Sequence, residues 1–124
     1  MKALLETNFG KILSTETQEN KVIFEVSLNA KHDIYQGHFP FKPIVPGVCT
    51  LQLVRELLEI HLGKKLRFSS SKNVKFSGMI DPNTTPQITV EIQNLTTDST
   101  QKIKASVFCK EQTFCKYDGE YVMQ

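Results

Sequence analysis

Gly37-His38-Phe39-Pro40-Phe41-Lys42-Pro43-Ile44-Val45-Pro46-Gly47-Val48 sets the reading of the whole chain. Prolines at 40, 43 and 46 fix φ and remove backbone donors, so His38 is expected on a stiff, non-helical segment. Pro46 and Gly47 stand where a helix begins, because proline suits the first helical turn. The unpaired N–H groups of that turn, with the positive end of the helix dipole, make an electrophilic site. A general base beside such a site suits chemistry next to a carbonyl.

Working outward, the spacing predicts a helix from Gly47 to Leu62 with Gly63 as its left-handed cap. Gln52, Arg55, Glu56 and Glu59 fall in one polar arc, whereas Cys49, Leu51, Leu53, Val54, Leu57, Leu58, Ile60 and Leu62 cover most of the rest. A helix this widely apolar is expected to be wrapped by a sheet rather than laid on an open surface. Upstream, Lys21 to Leu28 alternates Val22, Phe24, Val26 and Leu28 against Lys21, Glu25 and Ser27, the pattern of a half-buried strand. Phe9 to Thr15 is its expected partner, and Met1 to Thr7 reads equally as a short helix or an extended lead-in. Downstream, strands are expected within Arg67 to Ile80, Gln87 to Gln93, Lys102 to Lys110 and Thr113 to Met123. Turns fall at Asp81-Pro82-Asn83 and Asp98-Ser99, and Asp118-Gly119 is expected to form a bulge or kink. One long helix with about six mostly antiparallel strands makes residues 1–124 a single α+β domain.

The segment from Gly37 to Val48 resembles the active-site stretch of the β-hydroxyacyl-(acyl-carrier-protein) dehydratases of fatty-acid synthesis. That family shows Gly-His-Phe-Pro, a Pro-Ile/Val pair and Pro-Gly-Val leading into a central helix, in this order. The resemblance implies the hot-dog fold, a curved antiparallel sheet wrapped around the helix. It implies subunits that dimerise by joining their sheets, with the site at the interface. It makes His38 the catalytic base, with the N–H groups near Gly47 and Val48 meeting enolate charge on a thioester oxygen. Pro46 and Phe39 are expected at the substrate, and Phe41, Ile44 and Val45 either line an acyl tunnel or pack as ordinary core. No metal or redox cofactor is implied, since the phosphopantetheine arm belongs to the acyl carrier protein.

One position departs from the pattern. The family carries Glu, or Asp in some branches, four residues after the valine of Pro-Gly-Val, and here that position is Gln52. An amide donates and accepts hydrogen bonds but cannot transfer a proton at neutral pH. Glu56 lies one turn further, about 40° around the helix and roughly 6 Å along it. It reads either as a relocated acid or, more plainly, as an exposed helix carboxylate. A third arrangement is a heterodimer in which a paralogue supplies the carboxylate opposite His38, in place of a homodimer.

Composition narrows the alternatives. The 124 residues carry a formal net charge of +2, too little to imply nucleic-acid binding. No apolar run approaches a membrane span and the first residues lack a signal peptide's apolar core, so a cytoplasmic location is the default. Cys49, Cys109 and Cys115 form no CxxC pair and read as buried thiols rather than a disulfide or zinc framework. Cys49 sits in the first helical turn, where a thiolate would be stabilised. His32 beside Asp33 and His61 near the helix end read as surface and structural histidines. Lys64, Lys65, Arg67, Lys72 and Lys75 cluster after the helix, as solvated surface or as a patch for an acidic carrier protein. Two rivals to dehydration remain: a non-catalytic acyl-binding or heterodimer subunit, and a hot-dog thioesterase, which needs a carboxylate placed to activate water.

Overall fold

The computed structural model describes residues 3–35, 43–94 and 100–124. Six strands and one long helix follow in the order β1 (Gly10–Thr17), β2 (Lys21–Leu28), α1 (Gly47–Leu62), β3 (Leu66–Phe76), β4 (Gln87–Asn94), β5 (Thr100–Cys109) and β6 (Gln112–Met123). They form one sheet in the order β1-β2-β4-β5-β6-β3, every pairing antiparallel. The lead-in resolves as a single 3-10 turn, Leu4–Thr7. The turn expected at Asp98-Ser99 lies outside the described residues.

The period-two pattern of β2 translates directly into structure. Val22, Phe24, Val26 and Leu28 are buried and the residues between them are only partly covered. Ile88, Val90 and Ile92 on β4 and Ile103, Ala105 and Val107 on β5 continue the same inner face. Against it α1 buries Cys49, Leu53, Val54, Leu57 and Leu58. The helix ends at Gly63, whose φ of 67° only glycine adopts without strain, and whose N–H closes onto the Glu59 carbonyl.

Two expectations require correction. The irregularity expected at Asp118-Gly119 falls at that step of the ladder, but the extra residue is on the facing strand: Ser71 pairs with Gly119 and Asn73 with Asp118, and a second β3 bulge, between Phe68 and Ser70, faces Tyr121 and Glu120. The third segment is also shorter than its alternation suggests. β3 stops at Phe76, and every one of its residues after Leu66 is exposed. An alternating pattern marks which face a side chain takes, but not whether anything lies on that face.

Candidate functional site

The N-terminus of α1 opens onto an apolar cavity of about 710 Å³. Ile44, Val45, Pro46, Gly47, Val48 and Cys49 form one wall, and Phe76, Met79, Ile80, Phe114 and Cys115 contribute the other. Pro46 is the helix N-cap in extended conformation and offers no side-chain cap. Its carbonyl takes the N–H of Cys49 at 2.9 Å and of Thr50 at 3.2 Å. Among the described residues nothing accepts from Gly47 or Val48, so two oriented donors remain at the positive end of the dipole. A Cβ at position 47 would meet the tip of the Phe76 ring at 2.8 Å, so that half-exposed ring would have to shift to admit a side chain there.

Pro46, Gly47 and Val48 thus come together on the cavity, as do Ile44 and Val45. His38, Phe39 and Phe41 lie outside the described residues. Gln52 is one turn along the helix and is not among the residues lining the cavity. Its Nε2 donates to Glu56 Oε2 at 2.8 Å. The amide nitrogen has to face Glu56, since two facing oxygens would repel, so its carbonyl end is turned away from that carboxylate.

Glu56 is not the exposed carboxylate that its place in the polar arc suggests. It is 4% exposed. Besides Gln52 it accepts from the backbone N–H groups of Leu4 and Leu5, at 2.8 and 3.0 Å. Three donors compensate the burial of the carboxylate and pin the N-terminal turn onto the helix. Glu56 also borders a different, smaller cavity with Ala3, Leu5, Glu6 and Ile60, and it is not among the residues lining the apolar one. It is therefore not placed as a relocated acid. The signal that reveals it is a contact more than fifty residues away in sequence, which helical periodicity cannot carry.

The cysteines and His32 resolve toward structure. Cys49 and Cys115 are buried and Cys109 is partly buried, all three free. Burial, followed by the nearby Glu56 carboxylate, raises the Cys49 thiol, so the expected stabilisation of a thiolate does not occur. Burial pushes Cys115 up to about 11. His32 accepts the Ile34 N–H at Nδ1, 3.0 Å away, and its Nε2 lies 2.9 Å from Thr7 Oγ1. That pattern defines the neutral tautomer with Nε2–H donating, a fixed structural imidazole. Tyr35, which sequence reasoning passed over, is buried with no hydroxyl partner among the described residues. Burial, then Cys49 and Asp81, pushes it up to about 12. No group of three His, Cys, Asp or Glu able to hold a metal occurs among the described residues. No helix there is long and apolar enough to cross a membrane.

A helix wrapped by a curved antiparallel sheet, with a free helix N-terminus facing an apolar cavity, defines the hot-dog class. Solved structures agree on the fold. A subunit of the dehydratase heterocomplex ApeI:P from Xenorhabdus doucetiae superposes with a TM-score of 0.72 at 20% identity, covering 91% of this chain and 97% of that one. A hypothetical thioesterase from Streptococcus pneumoniae, solved with coenzyme A, gives 0.66 at 10% identity over 93% of this chain and 85% of that one. In sequence, the chain is 36% identical over 66 residues to the 3-hydroxyacyl-[acyl-carrier-protein] dehydratase FabZ of Clostridium acetobutylicum, covering 48% of this chain and 47% of that protein. The chain thus spans about half the length of that curated relative. The model of the ApeI-like family, described as ApeI dehydratase, matches residues 14–117. The chain belongs to the ApeI-like dehydratase family.

Proposed function

We propose that the chain takes part in dehydrating β-hydroxyacyl thioesters, carried on an acyl carrier protein, to trans-2-enoyl thioesters. The observation that carries this reading is the pair of free N–H groups at Gly47 and Val48. They border an apolar cavity and follow directly on the segment that holds His38. Neutral His38 takes the α-proton, and the C–H electron pair forms the α,β double bond. The β C–O bond breaks, and the hydroxyl leaves with a proton as water. Negative charge that builds on the thioester oxygen meets the Gly47 and Val48 N–H groups, whose orientation is set before substrate arrives. Phe39 and Pro46 flank the acyl chain.

Gln52 accepts from or orients the β-hydroxyl but cannot protonate it, so a different group supplies that proton. Val48, Phe76 and Met79 line the cavity yet are 72%, 51% and 75% exposed. A wall this open supports a site completed by a second hot-dog chain, an arrangement also supported by the heterocomplex of the Xenorhabdus relative. That partner is the natural source of a carboxylate. Lys64 and Lys65 precede β3, and Arg67, Lys72 and Lys75 lie along it, a basic run that suits an acidic carrier.

Mass spectrometry of a β-hydroxyacyl carrier protein incubated with the chain tests the reading. Loss of one water from the acyl group is expected, slowly with the chain alone. Release of the free hydroxy acid would instead establish a thioesterase. An unchanged thioester, alone and with partner subunits, would leave a non-catalytic acyl-binding subunit.

A further inference from the structure

Three polar or charged side chains are buried among the described residues: Thr50, Glu56 and Gln101, at 3%, 4% and 6% exposure. Glu56 holds three donors, and Gln101 accepts from Asn94 Nδ2 at 2.9 Å. The Thr50 hydroxyl forms no hydrogen bond with any described residue. A threonine inside a helix often turns its hydroxyl back onto the carbonyl four residues earlier. Here that carbonyl belongs to Pro46, and it already accepts the N–H groups of Cys49 and Thr50. An unused hydroxyl in a packed interior is a cost unless a ligand arrives to pair with it.

Thr50 lines the apolar cavity at the start of α1, and of the described residues lining it Thr50 alone carries a side-chain oxygen or nitrogen. The free N–H groups of Gly47 and Val48 border the same cavity. Its wall therefore offers two polar points in an apolar surround. A β-hydroxyacyl thioester brings two polar groups into such a space, the carbonyl oxygen and the β-hydroxyl, ahead of a hydrocarbon tail. Thr50 follows Gly47 by three residues, about 4.5 Å along the axis and on the same side of the helix. Helix side chains lean towards the N-terminus, which carries the hydroxyl back towards an atom two bonds beyond a carbonyl carbon held there. Gln52 stands outside this cavity, tied to Glu56.

We infer that the Thr50 hydroxyl donates to the β-oxygen of a substrate whose carbonyl rests on the Gly47 and Val48 N–H groups, and so selects one enantiomer at the β-carbon. This contact rests on the dehydration reading and adds to it the residue that recognises the β-hydroxyl from within the cavity. With the carbonyl, the β-oxygen and the tail each held, only one hand of the β-carbon satisfies all three. The hydrogen bond strengthens as the C–O bond breaks and negative charge gathers on the departing oxygen. Thr50 keeps its own proton, because an alcohol is too weak an acid to surrender it. The proton that completes water still comes from another group.

Calorimetry with unreactive pantetheine analogues, in which an amide replaces the thioester, tests this on the intact chain. The ligands are the octanoyl analogue and both enantiomers of its β-hydroxy form. Wild type is expected to bind one β-hydroxy enantiomer about tenfold more tightly than the other two ligands. Thr50→Val keeps the shape and removes the hydroxyl, so it should abolish that preference and leave octanoyl binding unchanged or tighter. It strands no partner, and its melting temperature should not fall. Thr50→Ser keeps the hydroxyl and should retain the preference. A preference that survives in Thr50→Val, or that is lost equally in Thr50→Val and Thr50→Ser, would overturn the inference. Wild type that binds all three ligands alike would overturn it too, and wild type that binds none would overturn it together with the acyl-binding reading. An intact preference in a chain that never releases water would remove dehydration alone and leave the contact standing.

Discussion

The middle of the sheet and its β3 edge differ more than their sequences suggest. The β2-β4-β5 side is closed: its inner residues are buried against α1 and its outer polar residues pair locally, as in Thr89 Oγ1 to Glu25 at 2.8 Å and Lys21 to Glu91 at 3.2 Å. The β3 side and the adjoining start of α1 are open, with aromatic and apolar side chains exposed and helix donors unused. The apolar residues of β2 pack on α1, whereas Phe68, Val74 and Phe76 of β3 face the same side of the sheet and stay exposed. A strand that keeps apolar residues facing nothing is a surface retained for a ligand or a partner. Stability is concentrated in the closed half, and the proposed chemistry falls in the open one.

That division can be broken most severely in the core. Leu57 is fully buried, and Leu57→Ala should cost about 2–5 kcal/mol. Phe76→Ala in the isolated chain should cost about 1 kcal/mol or less, since half of that side chain is already in water. Chemical denaturation of both variants checks the contrast, and equal losses would erase it. Glu56 joins the N-terminal turn to the helix, so Glu56→Ala should cost about 1–3 kcal/mol by orphaning two backbone donors and the Gln52 amide. It should also speed proteolysis ahead of β1. Stability unchanged in that variant would show that water replaces the carboxylate.

A smaller, sharper effect belongs to Gln52→Glu. The new carboxyl would lie within hydrogen-bond distance of Glu56, and two carboxylates so placed cannot both ionise. The pair therefore retains a proton that it can donate, and dehydration should rise about tenfold, roughly 1.4 kcal/mol of barrier. Because the folded pair binds the extra proton, the variant's stability should fall as pH rises. A rate that does not increase while folding is preserved would show that position 52 does not approach the β-hydroxyl.

Most of the architecture was legible because it rests on local periodicity. The alternation of Val22, Phe24, Val26 and Leu28, and the Pro46-Gly47 start and Gly63 stop of α1, each follow from the sequence and each recur in the structure. The start of the site was legible for the same reason, since Pro46, Gly47 and Val48 were placed by helix-start chemistry. Features that depend on distant parts of the chain were hidden. Glu56 is buried by an N-terminal turn whose register with α1 no periodicity encodes. The exposure of β3 and its two bulges against β6 depend on which strand comes to lie beside which. Cys49 reads from the sequence as a packed thiol and is one; the dipole that would favour a thiolate was visible there, whereas the burial that raises the thiol was not.

The claim that chemistry resides in the open half is tested most directly through His38. The measurement is the rate of enoyl-thioester formation by wild type and His38→Ala with a β-hydroxyacyl carrier protein, with thermal denaturation of both run alongside. Loss of the base should cut the rate by ~10²–10⁴ and leave the melting temperature nearly unchanged. Turnover retained by His38→Ala at a wild-type rate would contradict the account.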